Sequence, residues 1–475
     1  MISHATKVSV HTTRYEFSPE TEAFALFRTF VRRYGGEQGF LLDSITGGEI
    51  KYSSSMIGLF PVLSVRGKGD KLRVQGDDTL LQIGQFPKAA TIAGNLPALL
   101  DGIMAKFEVD VNLPTYAFGY LGFFGYDAIR YFEHIPETTK DDREIDDFCL
   151  QVHRVIMHFS PERIIVYMHE LAGVEGPSIT DIEGLMKESR ETPADFAEHS
   201  SAALRVSEDV SYEDYVERIR KTKEYIAAGD VFQCVISKRI RVKGDIDTLA
   251  VYGRLRSMNP SPYMFYVSYG DYILFGASPE MQVRMENGIV QMKPIAGTSK
   301  GKGKTQEENE RLKEALLSDE KERAEHVMLV DLCRNDLGRI AVPGTVNVEQ
   351  LIQIEEYSHV FHLVSLITAK VRQGISSFDV FLSTFPAGTL SGAPKVRAME
   401  IIDELEDFHR GPYGGVIGMI DCFGNLDTAI VIRTVVHQNG VSYLQAGAGI
   451  VADSNPDQEW QECNHKLGAL RATLF

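Results

Sequence analysis

Apolar and polar positions along this chain alternate in short runs that predict strands, with helical spacing between them. From Ser211 the spacing predicts a helix. Asp214 stands three residues on as a capping partner, apolar side chains recur at Tyr215, Val216 and Ile219, and Gly229 offers a stop. VFQCVISKRIRV then predicts a strand, and YMFYVSY and YILFGA predict two more around Gly270 and Asp271. A long helical pattern covers residues 305–333. LDTAIVIRTVVHQNGVSYLQAGAGIVA predicts two strands joined at Asn439-Gly440, a dipeptide suited to a two-residue hairpin turn. Strands this close around tight turns favour antiparallel pairing, which predicts α+β architecture and not a doubly wound sheet.

One stretch breaks the pattern. Residues 186–207, MKESRETPADFAEHSSAALRVS, are small, polar and charged, and predict a linker or exposed excursion. It divides the chain into an N-terminal part, 1–195, and a C-terminal part, 205–475. Composition narrows the function. The net charge of −17 over 475 residues argues against non-specific nucleic-acid binding and against an anionic membrane surface. No apolar run reaches the roughly 18 residues of a transmembrane span. The five cysteines are scattered without a C-x-x-C pair, which predicts free thiols in a reducing cytoplasm.

Two carboxylate pairs carry candidate chemistry. Glu322 and Glu325 share a helical face just before the apolar run Met328, Leu329, Val330. Glu459 and Glu462 share another, in a helix that Ser454 or Asn455 can cap and Pro456 can open, with Lys466 one turn beyond. Either pair alone also reads as a solvated acidic face. Together they suggest one oxygen-rich divalent site, which favours Mg²⁺ over zinc. Glycine-rich turns (PIAGT, PAGTLSGAPK, GPYGG and QAGAG) suggest loops that bring backbone N–H groups close to an anion, though each alone reads as a turn. Arg433, within the apolar run IVIRTVV, is costly to bury without an anionic partner. His359 and His362 in SHVFHLVS are candidate proton carriers or ordinary core histidines.

These strings, with GASPE and AEHVMLVDLCRNDLGR, occur together and in order over residues 211–475, and there the chain resembles the chorismate-utilising enzymes, specifically the synthase subunit of anthranilate synthase. The N-terminal part matches through Leu41-Leu42-Asp43-Ser44. The resemblance implies two large, mostly antiparallel sheets packed as a sandwich with outer helices. It implies Mg²⁺ held by Glu325 and Glu462 with Glu322 and Glu459 in support. Gly297, Thr298, Tyr413, Arg433, Gly447, Ala448 and Gly449 would hold chorismate, with Thr389 and Lys466 assisting and His362 as the acid/base group. Ammonia would add to the ring at C2, and anthranilate and pyruvate would leave, in the first committed step of tryptophan biosynthesis. Ala296 stands where aminodeoxychorismate synthases of the relevant type carry a nucleophilic lysine, and Gln233 where isochorismate synthases carry a lysine base. Both differences leave ammonia as the direct nucleophile. None of the cysteines sits in a glutaminase nucleophile elbow, so a separate glutamine amidotransferase subunit is implied. Feedback inhibition by L-tryptophan is implied as well, through Ser44, Lys51, Pro262, Tyr263 and Met264. Two residues depart from the family pattern. Asp43 replaces the commoner glutamate, and His465 precedes Lys466 where asparagine is usual.

Overall fold

The computed structural model describes residues 7–46, 51–92, 94–109, 112–191, 204–299, 301–357 and 360–475, with Thr46 and residues 51–53 as backbone alone. Two long strands, Lys51–Lys68 and Phe148–Phe159, organise the molecule. Their pairing shifts register between Pro61 and Leu63, beside Phe60 with its φ of +55°. Each strand thereby turns out of one sheet and into another.

The first sheet runs through the early half of Lys51–Lys68 to Gly39–Thr46, Tyr263–Ser268, Tyr272–Ser278, Thr434–Gln438, Val441–Ile450 and Gln233–Lys243. The second runs through the early half of Phe148–Phe159 to Gly119–Phe124, Val416–Asp421, Leu426–Ile430, Met281–Glu286, Ile289–Met292 and Phe361–Lys370. All these ladders are antiparallel; Val8–Val10 beside Phe107–Val109 is parallel. Strands from either side of residues 195–205 pair directly, Gly39–Thr46 with Tyr263–Ser268 and Gly119–Phe124 with Val416–Asp421.

The two sheets face each other across Phe40, Phe123, Phe265, Leu274 and Met419, all buried. Helices Ala23–Tyr34, Thr248–Met258 and Pro456–Leu474 cover the outer face of the first sheet, and Leu96–Met104, Glu320–Gly338 and Ser377–Thr384 that of the second. Burying each Leu or Phe of these faces contributes roughly 1.5–3 kcal/mol. The expected α+β sandwich with outer helices is the observed architecture. None of the described helices is long and apolar enough to cross a membrane.

Three local expectations need correction. The helical pattern over 305–333 is two helices, Gln306–Ser318 and Glu320–Gly338. Asp319 breaks it, because its carboxylate accepts the free N–H groups of Lys321 and Glu322 and so starts a new helix. The polar stretch 186–207 is partly regular. Its first residues finish the helix Ile179–Glu191, and Arg205–Glu208 pairs with Gln233–Lys243; residues 192–203 lie outside the described set. Arg433 is not within a strand. It sits between Leu426–Ile430 and Thr434–Gln438 with φ of +50°.

Candidate active site

The predicted helix start at Ser211 is observed. Ser211 accepts from Asp214 N–H, and the helix Tyr212–Ala228 stops at Gly229 with φ of +85°. It packs behind the strands Gln233–Lys243 and Val441–Ile450, which pair with Val235 opposite Gly449 and Ser237 opposite Gly447. Gly447 and Gly449 face one way, and absence of a side chain matters at both. A Cβ on Gly449 would lie 2.4 Å from Gln233 Nε2, and one on Gly447 would lie 3.0 Å from the Tyr413 hydroxyl. The intervening Ala448 points the other way, fully buried against Tyr215 and Ile219, so its side chain cannot meet a ligand on the Gly447 face.

A second wall comes from the PIAGT turn. Ile295–Thr298 pairs with Phe361–Lys370, and a bulge sets Thr298 opposite His362. Gly297 there has φ of +67°, and a Cβ on it would lie 3.1 Å from Glu322 Oε2. His362 Nδ1 is 2.9 Å from the Gly297 carbonyl and 3.2 Å from Thr298 Oγ1. A carbonyl only accepts, so Nδ1 carries the hydrogen and Nε2 keeps its lone pair. Burial pushes the imidazole pKa down to about 4, and neighbouring Arg433 pushes the same way. Ser358 and His359 lie outside the described residues.

The floor holds a residue that motif reading passed over. Glu280, the last residue of GASPE, is 7 % exposed and accepts from Thr389 Oγ1 at 3.1 Å. Burial lifts its pKa to about 7 against the pull of Thr389, Arg433, the Ile295 N–H and Lys466. The carboxyl is therefore poised between its two protonation states near neutrality. Its sequence signal was a charged residue abutting the alternating strand Met281–Glu286. Arg433 is largely enclosed, and burial lowers its pKa against the charge of Glu280 and the Tyr357 hydroxyl. Among the described residues its guanidinium makes no hydrogen bond. A cation in this position calls for an anionic ligand.

The four glutamates lie close enough to act on one another's charge. Glu325 has its pKa raised to about 6, by burial first and then by Glu322, Glu462 and Glu459, with Lys321 opposing. Burial also raises Glu322, followed by the charges of Asp319 and Glu462, and Glu459 rises by burial and by Glu462. Helices Glu320–Gly338 and Pro456–Leu474, the second opened by Asn455 and Pro456 as expected, thus aim their acidic faces at each other. Lys466 Nζ ties the helix Pro456–Leu474 to the glycine strand, 2.7 Å from Glu462 Oε1 and 2.8 Å from the Gly447 carbonyl. Among the described residues, no three His, Cys, Asp or Glu side chains gather closely enough to enclose an ion. The donor set nevertheless fits a hard divalent cation: all donors are carboxylates, and their mutual repulsion is what a cation would relieve.

The inhibitor candidates lie elsewhere. Ser44, Pro262, Tyr263 and Met264 line one cavity of about 380 Å³ between the two sheets, with Met56 and Met419 among its other walls. Asp43 also lines it, but its carboxylate is engaged by Ser55 Oγ and Arg256 Nε, both at 2.6 Å. The Lys51 side chain lies outside the described residues.

The sandwich thus carries glycine-rich strands and turns, an arginine without a hydrogen-bond partner among the described residues, and two acidic helix faces. Residues 68–472 match the model of the chorismate binding enzymes, and the chain belongs to that family. It is 43% identical over 447 residues to anthranilate synthase component 1 of Acetivibrio thermocellus, covering 91% of this chain and 89% of the relative. It is 36% identical to a 2-amino-4-deoxychorismate synthase of Streptomyces globisporus, covering 97% and 96% of the two chains. The crystal structure of anthranilate synthase component I from Streptococcus pneumoniae superposes with a TM-score of 0.76 at 33% identity, covering 89% of this chain and 93% of that one.

Proposed function

We propose that the protein converts chorismate and ammonia to anthranilate, pyruvate and water, as the synthase subunit of an anthranilate synthase. The observation that carries this reading is the Arg433 guanidinium, without a hydrogen-bond partner among the described residues, beside the buried Glu280 carboxyl, on which Lys466, ion-paired to Glu462, also acts. Chorismate bears two carboxylates and a leaving hydroxyl, and this set answers all three. Arg433 and the backbone at Gly447 and Gly449 suit one carboxylate, with Thr298 and Tyr413 at the walls. Mg²⁺, held by Glu325 and Glu462 with Glu322 and Glu459 beside them, would supply charge neutralisation for the other.

Glu280, protonated, would give its proton to the C4 hydroxyl. That group leaves as water while ammonia bonds to C2 and the ring double bonds shift, and the nitrogen then sheds its extra proton to solvent. His362, neutral with Nε2 open, would take the C2 proton. The electron pair released forms the aromatic ring as the C3–O bond breaks and enolpyruvate departs, to be protonated to pyruvate. Burial is the first cause of the low His362 pKa, and substrate carboxylates that offset the smaller pull of Arg433 would raise it. Ala296 offers no covalent route, and the Gln233 amide beside Gly449 cannot activate water by deprotonation.

Similarity to a 2-amino-4-deoxychorismate synthase favours one second reading, in which the chain stops after amination. Purified protein with chorismate, Mg²⁺ and ammonium at alkaline pH should yield fluorescent anthranilate. Accumulation of the aminated, non-aromatic product would support the second reading, and a hydroxylated product would refute both. A glutaminase partner would supply ammonia from glutamine.

L-Tryptophan is the proposed occupant of the cavity between the sheets. The strand that lines it with Asp427 and Ala429 leads directly into Arg433, which gives inhibition a short path to the site. Ser44→Leu should fill part of the cavity and raise the half-inhibiting tryptophan concentration by at least about tenfold, the effect of about 1.4 kcal/mol. Uninhibited turnover should be unchanged, and inhibition curves at fixed chorismate would check both points.

A further inference from the structure

The helix Pro456–Leu474 bears more than Glu459 and Glu462. Between and beyond them stand Trp460, the only tryptophan in the chain, and Asn464. Both meet Lys238, whose side chain is fully enclosed in the strand Gln233–Lys243. Lys238 Nζ lies 3.1 Å from the centroid of the Trp460 ring and 2.9 Å from Asn464 Oδ1. Glu208 Oε2 is 3.3 Å away, on the neighbouring strand Arg205–Glu208. The rings of Tyr212 and Tyr215 stand against Trp460 with centroids 5.6 and 5.4 Å away, so the indole is packed by both tyrosines as well as by Lys238.

Enclosing an ammonium is unfavourable, and burial indeed lowers the pKa of Lys238. An apolar side chain would fill the same space without that cost. What the cation adds is direction. Trp460 and Asn464 are four residues apart, on one face of the helix, and a single ammonium that engages both sets the rotation of that helix. Rotation matters here: one residue corresponds to about 100° of turn, enough to swing Glu459 and Glu462 away from Glu322 and Glu325.

We infer that Lys238 is a positioning residue for the metal-facing carboxylates, holding Trp460 and Asn464 so that Mg²⁺ uptake depends on a cation the ion never touches. This rests on the reading of the four glutamates as an Mg²⁺ site. The geometry predicts a defect in metal affinity greater than any defect in saturated turnover. Partners that orient ligands typically contribute about 10–100-fold to metal affinity.

Calorimetric titration of Mg²⁺ into full-length enzyme with chorismate, without ammonia, tests this on Lys238→Met, Lys238→Arg and Trp460→Leu. Melting temperatures would be recorded alongside. Lys238→Met and Trp460→Leu should bind Mg²⁺ about tenfold more weakly, with kcat at saturating Mg²⁺ within about twofold of wild type. Lys238→Arg should restore most of the affinity, since a guanidinium can also stack on the indole and reach Asn464. Wild-type affinity in folded Lys238→Met overturns the inference. Should Lys238→Met fail to fold, wild-type affinity in Trp460→Leu overturns it instead. Absence of Mg²⁺ uptake by the wild-type enzyme would overturn the metal-site reading itself, separately from the role of Lys238.

Discussion

Replacing Glu325 with glutamine should lower Mg²⁺-dependent turnover by at least about a hundredfold, the upper end for residues that merely orient ligands. The side chain keeps its size, so the loss would report charge and donor ability rather than packing. Burial first, then Glu322, Glu462 and Glu459, bring the Glu325 pKa to about 6 against the pull of Lys321. A raised carboxylate pKa means that folding favours the protonated form. Its stabilising contribution is therefore complete below the ordinary value of 4.5 and disappears as pH rises through about 6. Metal-free protein should lose stability across that window, and Mg²⁺ should restore it increasingly as pH rises, with protons released on binding at its acid end. Glu325→Gln should flatten this pH dependence and reduce the Mg²⁺-induced rise in melting temperature. Unchanged turnover together with an unchanged Mg²⁺ response would remove Glu325 from the metal site.

Local chemistry was legible in the sequence, and distant pairing was not. The Asn439-Gly440 turn forms as expected, with φ of +51° and +71°, because only a few residue types accept that conformation. The starts at Ser211 and Asn455 also follow from side chains capping their own helices. Alternation marks a strand's buried face but not its partner, so Gly39–Thr46 beside Tyr263–Ser268 could not be read from either segment. The same limit hid the sharing of Lys51–Lys68 by both sheets. At the site, i, i+3 spacing marks each acidic pair, while the influence of one pair's charge on the other depends on how two distant helices pack. Ala448 was grouped with its glycine neighbours by motif, although strand alternation turns its side chain into the core. Glu280 was overlooked for the opposite reason. A lone carboxylate before a strand carries no spacing signature, and its character comes wholly from the burial that Thr389, Arg433 and the Ile295 N–H only partly offset.

That burial makes Glu280→Gln the second substitution with a large expected effect. The variant retains the shape of the side chain and can still accept from Thr389, but it has no acidic proton. Loss of a positioned general acid costs about 10²–10⁴ in rate. The loss should fall on kcat for ammonia-dependent turnover, with the KM for chorismate little changed, because the proton is needed in the transition state and not for binding. In the wild type, the acid must be protonated to act, so the rate normalised to free ammonia should fall as pH rises through about 7. Anionic substrate beside Glu280 would move this limb upward, since a second negative charge favours the neutral carboxyl. Glu280→Gln should lack the limb altogether. A variant that kept both the rate and the alkaline limb would assign the proton to another donor and leave Glu280 as a buried partner of Thr389 alone. The neighbouring groups make that outcome hard to reconcile with the site. Arg433 and Lys466 both favour ionisation of Glu280, yet burial holds its pKa near neutrality, where a carboxyl can both give up a proton and regain it between turnovers.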